Sequence, residues 1–409
     1  MIEWRNPWSE TTTCFKQERE TLYQEMAFKK KIGIITILKV NNYGAELQAY
    51  ATQKALQLMG HDAEIIDYLF YKNPRHKRTK MSAPTAKMSV KKHLQEWLFP
   101  IIANWKARNF REAQEARTRK FELFHAENTK QSECYDTIDK LMAAQLDYDV
   151  LMSGSDQVWN PGVYSSLDPY LLRFGTKKMK RVAYASSFGV SSLPVDVKAY
   201  YKEALQNYDA ISVREDKAVE LVKSVSERDA QLVLDPTLLL NKEQWLEVAK
   251  PVEGVPDVPY ILIYELSEIP YIKHVAQYVS KQTGMPIVRI CKNASVEDAE
   301  PEIVNIIDAG PAEFLYLFSK AGCVVTNSFH GTAFSINFGK QFYTIIPNGK
   351  SNNSRQRSIL KLMGCEERML VEGSPMPEIK TLDTAKVGAN LQREREKSMN
   401  YLKNAIDGE

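Results

Sequence analysis

Short β-branched runs, each closed by a polar turn and followed by helix-spaced apolar residues, recur from Ile32 to Ile346 and limit what this chain can fold into. Residues 32–38 and 63–68 are two such runs. Between them Leu47, Tyr50, Ala51, Ala55, Leu56 and Met59 fall at helical spacing before Gly60. A strand, a helix and a strand within about forty residues make a βαβ unit with parallel strands. Runs at 148–152, 181–184, 210–213 and 232–234 extend this half, and runs at 260–264, 285–290, 323–326 and 341–346 build a second. Continuous apolar runs suit strands buried on both faces. The spacing therefore predicts an α/β architecture of two doubly wound, Rossmann-like domains facing across a cleft. A chain of 409 residues also exceeds what one hydrophobic core serves. The expected division is a tail at 1–30 outside the fold, an N-terminal domain at 31–235, a C-terminal domain at 236–370 and a closing helix within 371–409. The crossing falls near Pro236, and the closing helix is expected to pack back across both domains.

The net charge of +3 is unevenly spread, because residues 72–130 carry fifteen Lys and Arg against five Asp and Glu. This stretch reads as a basic insertion in the first domain, a loop at 72–90 and then a helical region at 90–126 kinked at Pro100. Trp97, Leu98, Phe99, Ile101, Ile102 and Trp105 lie among Lys91, Lys92, Lys106, Arg108 and Arg111. That composition suits peripheral contact with an anionic membrane surface, and equally a packed insertion with a solvated basic face. No recognition motif accompanies the charge, so nucleic acid is not an expected partner. Cys14, Cys134, Cys291, Cys323 and Cys365 are an odd, widely spaced set, which suggests neither a disulfide framework nor a metal site. No run of eighteen apolar residues is present and the first residues lack a signal-peptide core, so the expected location is the cytoplasm, at most peripheral to the inner face of a membrane.

Open α/β sheets bind ligands beyond the carboxyl ends of their strands, so the loops there hold the candidate site. After the first strand, Asn42, Tyr43, Gly44 and Gln48 are expected to face the crevice, without the GxGxxG of a dinucleotide site. After the run at 148–152, Ser153 and Gly154 allow close backbone approach, and Gln157 and Asn160 add polar groups. Asp156 in this loop offers a carboxylate for a hydroxyl, and Trp159 offers a face for a sugar. A tight turn with an Asp-capped helix start accounts for the same loop locally. Arg214 follows the run at 210–213, where a planar fork suits phosphate or carboxylate, or an ion pair with Glu215 or Asp216. After 323–326, Asn327 and Ser328 can cap a helix. Gly331 and Thr332 are small enough to let an anion reach that helix's free N–H groups, and His330 stands ready for proton transfer. Arg355 and Arg357 add cations after the last run.

The ordered segments NNYGAELQAYA, IDY, DVLMSGSDQVWNP, RVAYASSFG, ISVRE, LDPT and VVTNSFHGTAFSINF resemble the polysaccharide pyruvyl transferase family, from Lys31 to about Arg368. The resemblance implies a GT-B-like fold. It also implies transfer of the enolpyruvyl group of phosphoenolpyruvate to a glycan or lipid-linked sugar as a pyruvate ketal, with no metal and no cofactor beyond the donor substrate itself. By the same resemblance His330 is the general acid and Arg214 holds the donor. Asp156 is our candidate for activating the acceptor hydroxyl. Characterised members often carry Arg-Leu-His where this chain has Ser328-Phe329-His330, so Arg355 or Arg357 is expected to supply the second donor cation. Two other readings use the same cleft: a GT-B-like glycosyltransferase with a nucleotide sugar, and a non-catalytic glycan or lipid-carrier binding protein.

Overall fold

The structure, a computed structural model, describes residues 29–87, 89, 91, 94–95, 111–291, 302–349 and 353–408. Most of the aromatic and basic cluster around Trp97 and Trp105, with Pro100, lies outside them.

The first half is built from β1 (Lys31–Ile35), α1 (Tyr43–Leu58), β2 (Asp62–Tyr68), α2 (Arg111–Asn128), β3 (Gln131–Tyr135), α3 (Ile138–Ala143), β4 (Val150–Ser153), β5 (Lys180–Ser186), α4 (Lys198–Gln206), β6 (Ala210–Val213), α5 (Asp216–Ser226) and β7 (Gln231–Leu232). Its seven strands are all parallel, in the order β3-β2-β1-β4-β5-β6-β7. Alternate residues serve opposite faces. Val150 and Met152 join a core beneath α1, whereas Leu151 between them joins a core with Tyr201 and Leu205 of α4. Both faces are covered, which is why these strands read as unbroken apolar runs.

The second half follows with α6 (Lys242–Leu246), β8 (Tyr260–Tyr264), α7 (Pro270–Thr283), β9 (Ile287–Ile290), β10 (Ile303–Ile306), α8 (Pro311–Lys320), β11 (Ala321–Thr326), α9 (Phe329–Asn337), β12 (Gln341–Ile346), α10 (Ser354–Met363), β13 (Met369–Val371) and α11 (Thr384–Asp407). Six parallel strands run β10-β9-β8-β11-β12-β13. Helix α7 shows the local code: Pro270 fits its first turn, where an N–H is dispensable, and Gly284 closes it at φ 72°, a left-handed position that glycine adopts without strain.

The sequence reading missed β3, β10 and β13. All three are short outer strands with polar or charged neighbours, where the apolar signal is weakest. The run at 232–234 also begins one residue earlier and pairs only over Gln231–Leu232.

One hydrophobic cluster joins the halves. Tyr43, Leu47 and Tyr50 of α1 and Phe121 and Phe124 of α2 pack with Phe314, Leu317 and Phe318 of α8. The Tyr43 ring stacks on Phe314 at 4.5 Å, and its hydroxyl donates to the Ala309 carbonyl at 2.7 Å. Helix α11 forms a second join: Asn390 donates to the Met363 carbonyl and Tyr401 to that of Ala183. Among the described residues no helix is long and apolar enough to cross a membrane.

Candidate active site

Strand order reverses between β1 and β4 in the first sheet and between β8 and β11 in the second. Such switch points leave a crevice beyond the strand ends. Here both open on one cavity of about 260 Å³. Asn42 reaches it from the loop after β1, and Asp156 and Gln157 from the loop after β4. Leu266 and Ser267 follow β8, and Asn327 to His330 follow β11. Asn327 ties the second pair of loops together, accepting from the Leu266 N–H at 2.8 Å and donating to the Ser267 carbonyl at 2.7 Å. Pro347, Asn353, Arg355 and Gln356 complete the wall.

Three helices begin at this cavity. Asn42 caps α1 by accepting from the Ala45 N–H, Ser328 caps α9 by accepting from the Gly331 N–H, and Asn353 precedes α10. A helix N-terminus carries partial positive charge and spare N–H donors, so three together favour an anion. Arg355 adds a full charge. Its Nε is buried without a hydrogen-bond partner, and no carboxylate lies within ion-pairing distance among the described residues. Burial and the neighbouring Arg214 lower the Arg355 pKa, and a guanidinium keeps its proton regardless.

Of the two placements expected for Arg214, the structure shows the ion-paired one, with more distant carboxylates as well as Glu215. Its guanidinium is buried, donating to Asp235 Oδ2 at 2.6 Å and to Asp156 Oδ1 at 2.9 Å, over the ring of Phe329 at 4.6 Å. Both terminal nitrogens of its fork are engaged by these two carboxylates, and its Nε, buried without a hydrogen-bond partner, lies 3.9 Å from Glu215 Oε2, so the guanidinium is placed to hold carboxylates. Asp235 is saturated as well: Ser155 donates to Oδ2, and the Thr237 N–H and hydroxyl donate to Oδ1. Burial would push its carboxyl up, but His330 and Arg214 beside it hold it far below the usual carboxylate range. In Asp156, likewise, burial is outweighed by the charge of Arg214, then of His330 and Arg355, so its pKa is lowered. Burial raises that of Glu215, which accepts from the Ser187 hydroxyl at 2.7 Å. Asp156 also sits at φ 66°, a strained conformation for a residue with a Cβ. Such strain persists where the surroundings over-determine it.

His330 is buried at the start of α9, its Nε2 3.8 Å from Asp235 Oδ2. That is an ion-pair distance, too long for a hydrogen bond. Its other edge faces Gly44 so closely that a Cβ there would lie 1.9 Å from Nδ1. Gly44→Ala is therefore expected to displace the imidazole, costing about 1–3 kcal/mol of stability through overpacking and lowering turnover. Urea unfolding together with a turnover assay checks this; unchanged values in both would show that the ring is free to move.

Several expected ligand groups are buried elsewhere. Trp159 has no exposed surface and donates through Nε1 to the Tyr170 carbonyl, so it is a core residue and not a sugar platform. Gln48, on α1, is buried and donates to Thr36 Oγ1 and to the Ala45 carbonyl. Tyr43 belongs to the join between the halves. Ser153 donates to the Tyr170 carbonyl, and a Cβ at Gly154 would meet Thr36. Asn160 stays behind Gln157, donating to its side-chain oxygen. Gly331 and Thr332 pack inward, against Thr326 and Thr344. Leu266, Ser267, Pro347 and Gln356 were missed because nothing in their local pattern distinguishes a cavity wall from a turn, whereas Asn353 was expected near the mouth as part of the polar loop after the last run. Asp235 was legible only as the middle of an LDPT segment.

Residues 42–349 match the sequence family described as polysaccharide pyruvyl transferase. No curated protein matches the chain. Among solved structures, the UDP-GlcNAc 2-epimerase of Neisseria meningitidis bound to UDP-GlcNAc aligns with a TM-score of 0.45 at 11% identity, over 92% of this chain and 97% of that one. The UDP-GlcNAc 2-epimerase of Methanocaldococcus jannaschii gives 0.44 at 11% identity, over 88% and 92%. An α-glucosyltransferase in complex with UDP and a 13-mer DNA gives 0.44 at 11%, over 92% and 95%.

Proposed function

Because this chain belongs to the polysaccharide pyruvyl transferase family, we propose that it moves the enolpyruvyl group of phosphoenolpyruvate onto hydroxyls of a polysaccharide or its lipid-linked precursor. The product is a pyruvate ketal and the leaving group is phosphate. The observation that carries the donor assignment is the cavity where three helix N-termini meet Arg355. A small molecule with both phosphate and carboxylate matches that set of donors.

In this reading His330 protonates the methylene carbon of the donor, which becomes a methyl group, and the adjacent carbon becomes an oxocarbenium-like electrophile. An acceptor hydroxyl oxygen adds to that carbon as Asp156 draws off its proton. A second hydroxyl then forms the other C–O bond while the bond to phosphate breaks. Two protons leave the hydroxyls; one restores His330 and the other departs with phosphate. Asp235 steadies the imidazolium, and Arg214 holds Asp156 and Asp235 in register.

Phosphoenolpyruvate at about a hundred times its dissociation constant should stabilise the protein by about 2.7 kcal/mol without added metal. Arg355→Gln should weaken that binding by the worth of a charged hydrogen bond, about 1.5–3 kcal/mol. Thermal shift against phosphoenolpyruvate and nucleotide sugars, with phosphate release followed in parallel, tests both. A shift with nucleotide sugars alone would replace this reading with glycosyl transfer.

A further inference from the structure

Taking its acceptor chemistry from the pyruvyl-transfer reading, we infer that a second cavity, walled by α2 and the loops after β1 and β2, is the subsite that seats the glycan acceptor. It encloses about 770 Å³, within the range of about 300–1,000 Å³ typical of ligand pockets. Asn41, Asn73, Thr118 and Gln131 bring amides and a hydroxyl to its wall. Sugar hydroxyls both donate and accept; each of these side chains makes an internal hydrogen bond, and an amide keeps a second N–H and, in Asn41 and Gln131, the side-chain oxygen for a ligand. Arg75 is offset by Glu122, and Lys39 is paired with Asp67 at 2.5 Å, so no field of one sign marks the cavity for a polyanion.

Asn41 lines this cavity and Asn42 lines the donor cavity, so one loop of backbone separates the two. That loop is strained, with Lys39 at φ 56° and Asn41 at φ 49°. It is also pinned from several sides. The Val40 N–H donates to Glu46 Oε1 at 3.0 Å, Asn41 Nδ2 to Thr118 Oγ1 at 2.9 Å, and Asn73 Nδ2 to the Lys39 carbonyl at 3.0 Å. Strain held this firmly is found where a binding surface needs one shape. The other oxygen of Glu46 contacts Nε2 of His125, which lines the cavity and is 4% exposed. The second ring nitrogen, Nδ1, is buried with no hydrogen-bond partner.

Saturation-transfer NMR with cellobiose, maltose, lactose and chitobiose as probes tests this on the full chain. Wild type should give transfer to at least one of them. Ala126→Trp, a change at an exposed position on the cavity rim, and Gln131→Trp, at the start of β3, should each cut that transfer by about tenfold at an unchanged melting temperature. Equal transfer in wild type and in both variants, or none from any probe to wild type, would overturn the assignment. The phosphoenolpyruvate shift is recorded separately on wild type, so failure of the donor reading is distinguished from failure of this one.

Discussion

Replacing His330 with glutamine is expected to leave phosphoenolpyruvate binding in place and to lower turnover by about 10²- to 10⁴-fold, the worth of a well-placed general acid. Glutamine keeps much of the ring's size and hydrogen-bonding reach but cannot release a proton near neutrality. The ring sits between Gly44 and Asp235 at the mouth of both switch points. The ring is buried there, and glutamine retains enough of its volume to fill the same space, so the loss is expected in turnover and not in melting temperature. Single-turnover phosphate release, read beside the donor-induced thermal shift, separates the two. Near-normal turnover would remove the histidine from the mechanism.

Arg214→Met should instead be a stability variant, costing about 3–5 kcal/mol because it strands two buried carboxylates. This differs from what the ISVRE motif implies, a cation that grips the donor. In the structure Asp156 and Asp235 occupy the fork. Urea unfolding measures the loss; a variant of normal stability that no longer binds phosphoenolpyruvate would return Arg214 to the donor. The pH dependence has a definite sign. Asp235 is held below its unfolded value, so its contribution is complete above the unfolded pKa of about 3.9 and drains as pH falls below it. The gap between wild type and Arg214→Met should hold steady from about pH 5 to 8 and narrow only in acid.

The central strands were legible because burial on both faces writes itself as apolar runs: β8 reads YILIY and all five residues are buried. Legibility of the site stopped at position along the chain. Asn42, Asp156, Gln157, Asn327, Ser328, His330 and Arg355 could be placed at the cavity by their loops alone. What a side chain does there depends on residues far away in sequence. Trp159 turns inward because the Tyr170 carbonyl waits for its N–H, and Arg214 is claimed by a carboxylate on the crossing segment. Neither partner is signalled by local spacing.

The stacked contact of Tyr43 on Phe314 and the passage of α11 over both sheets bear on how such an enzyme works. Two domains with a small polar interface are expected to swing on a hinge, whereas a large apolar join suppresses that motion. Here the join is apolar and reinforced by a helix. In the proposed reaction, Asp156 from one half and His330 from the other would therefore be held in place before any substrate arrives. The charges that this reaction would bring to its transition state would need no closing movement to assemble, and the energy of reorganising them would already be spent when the chain folds.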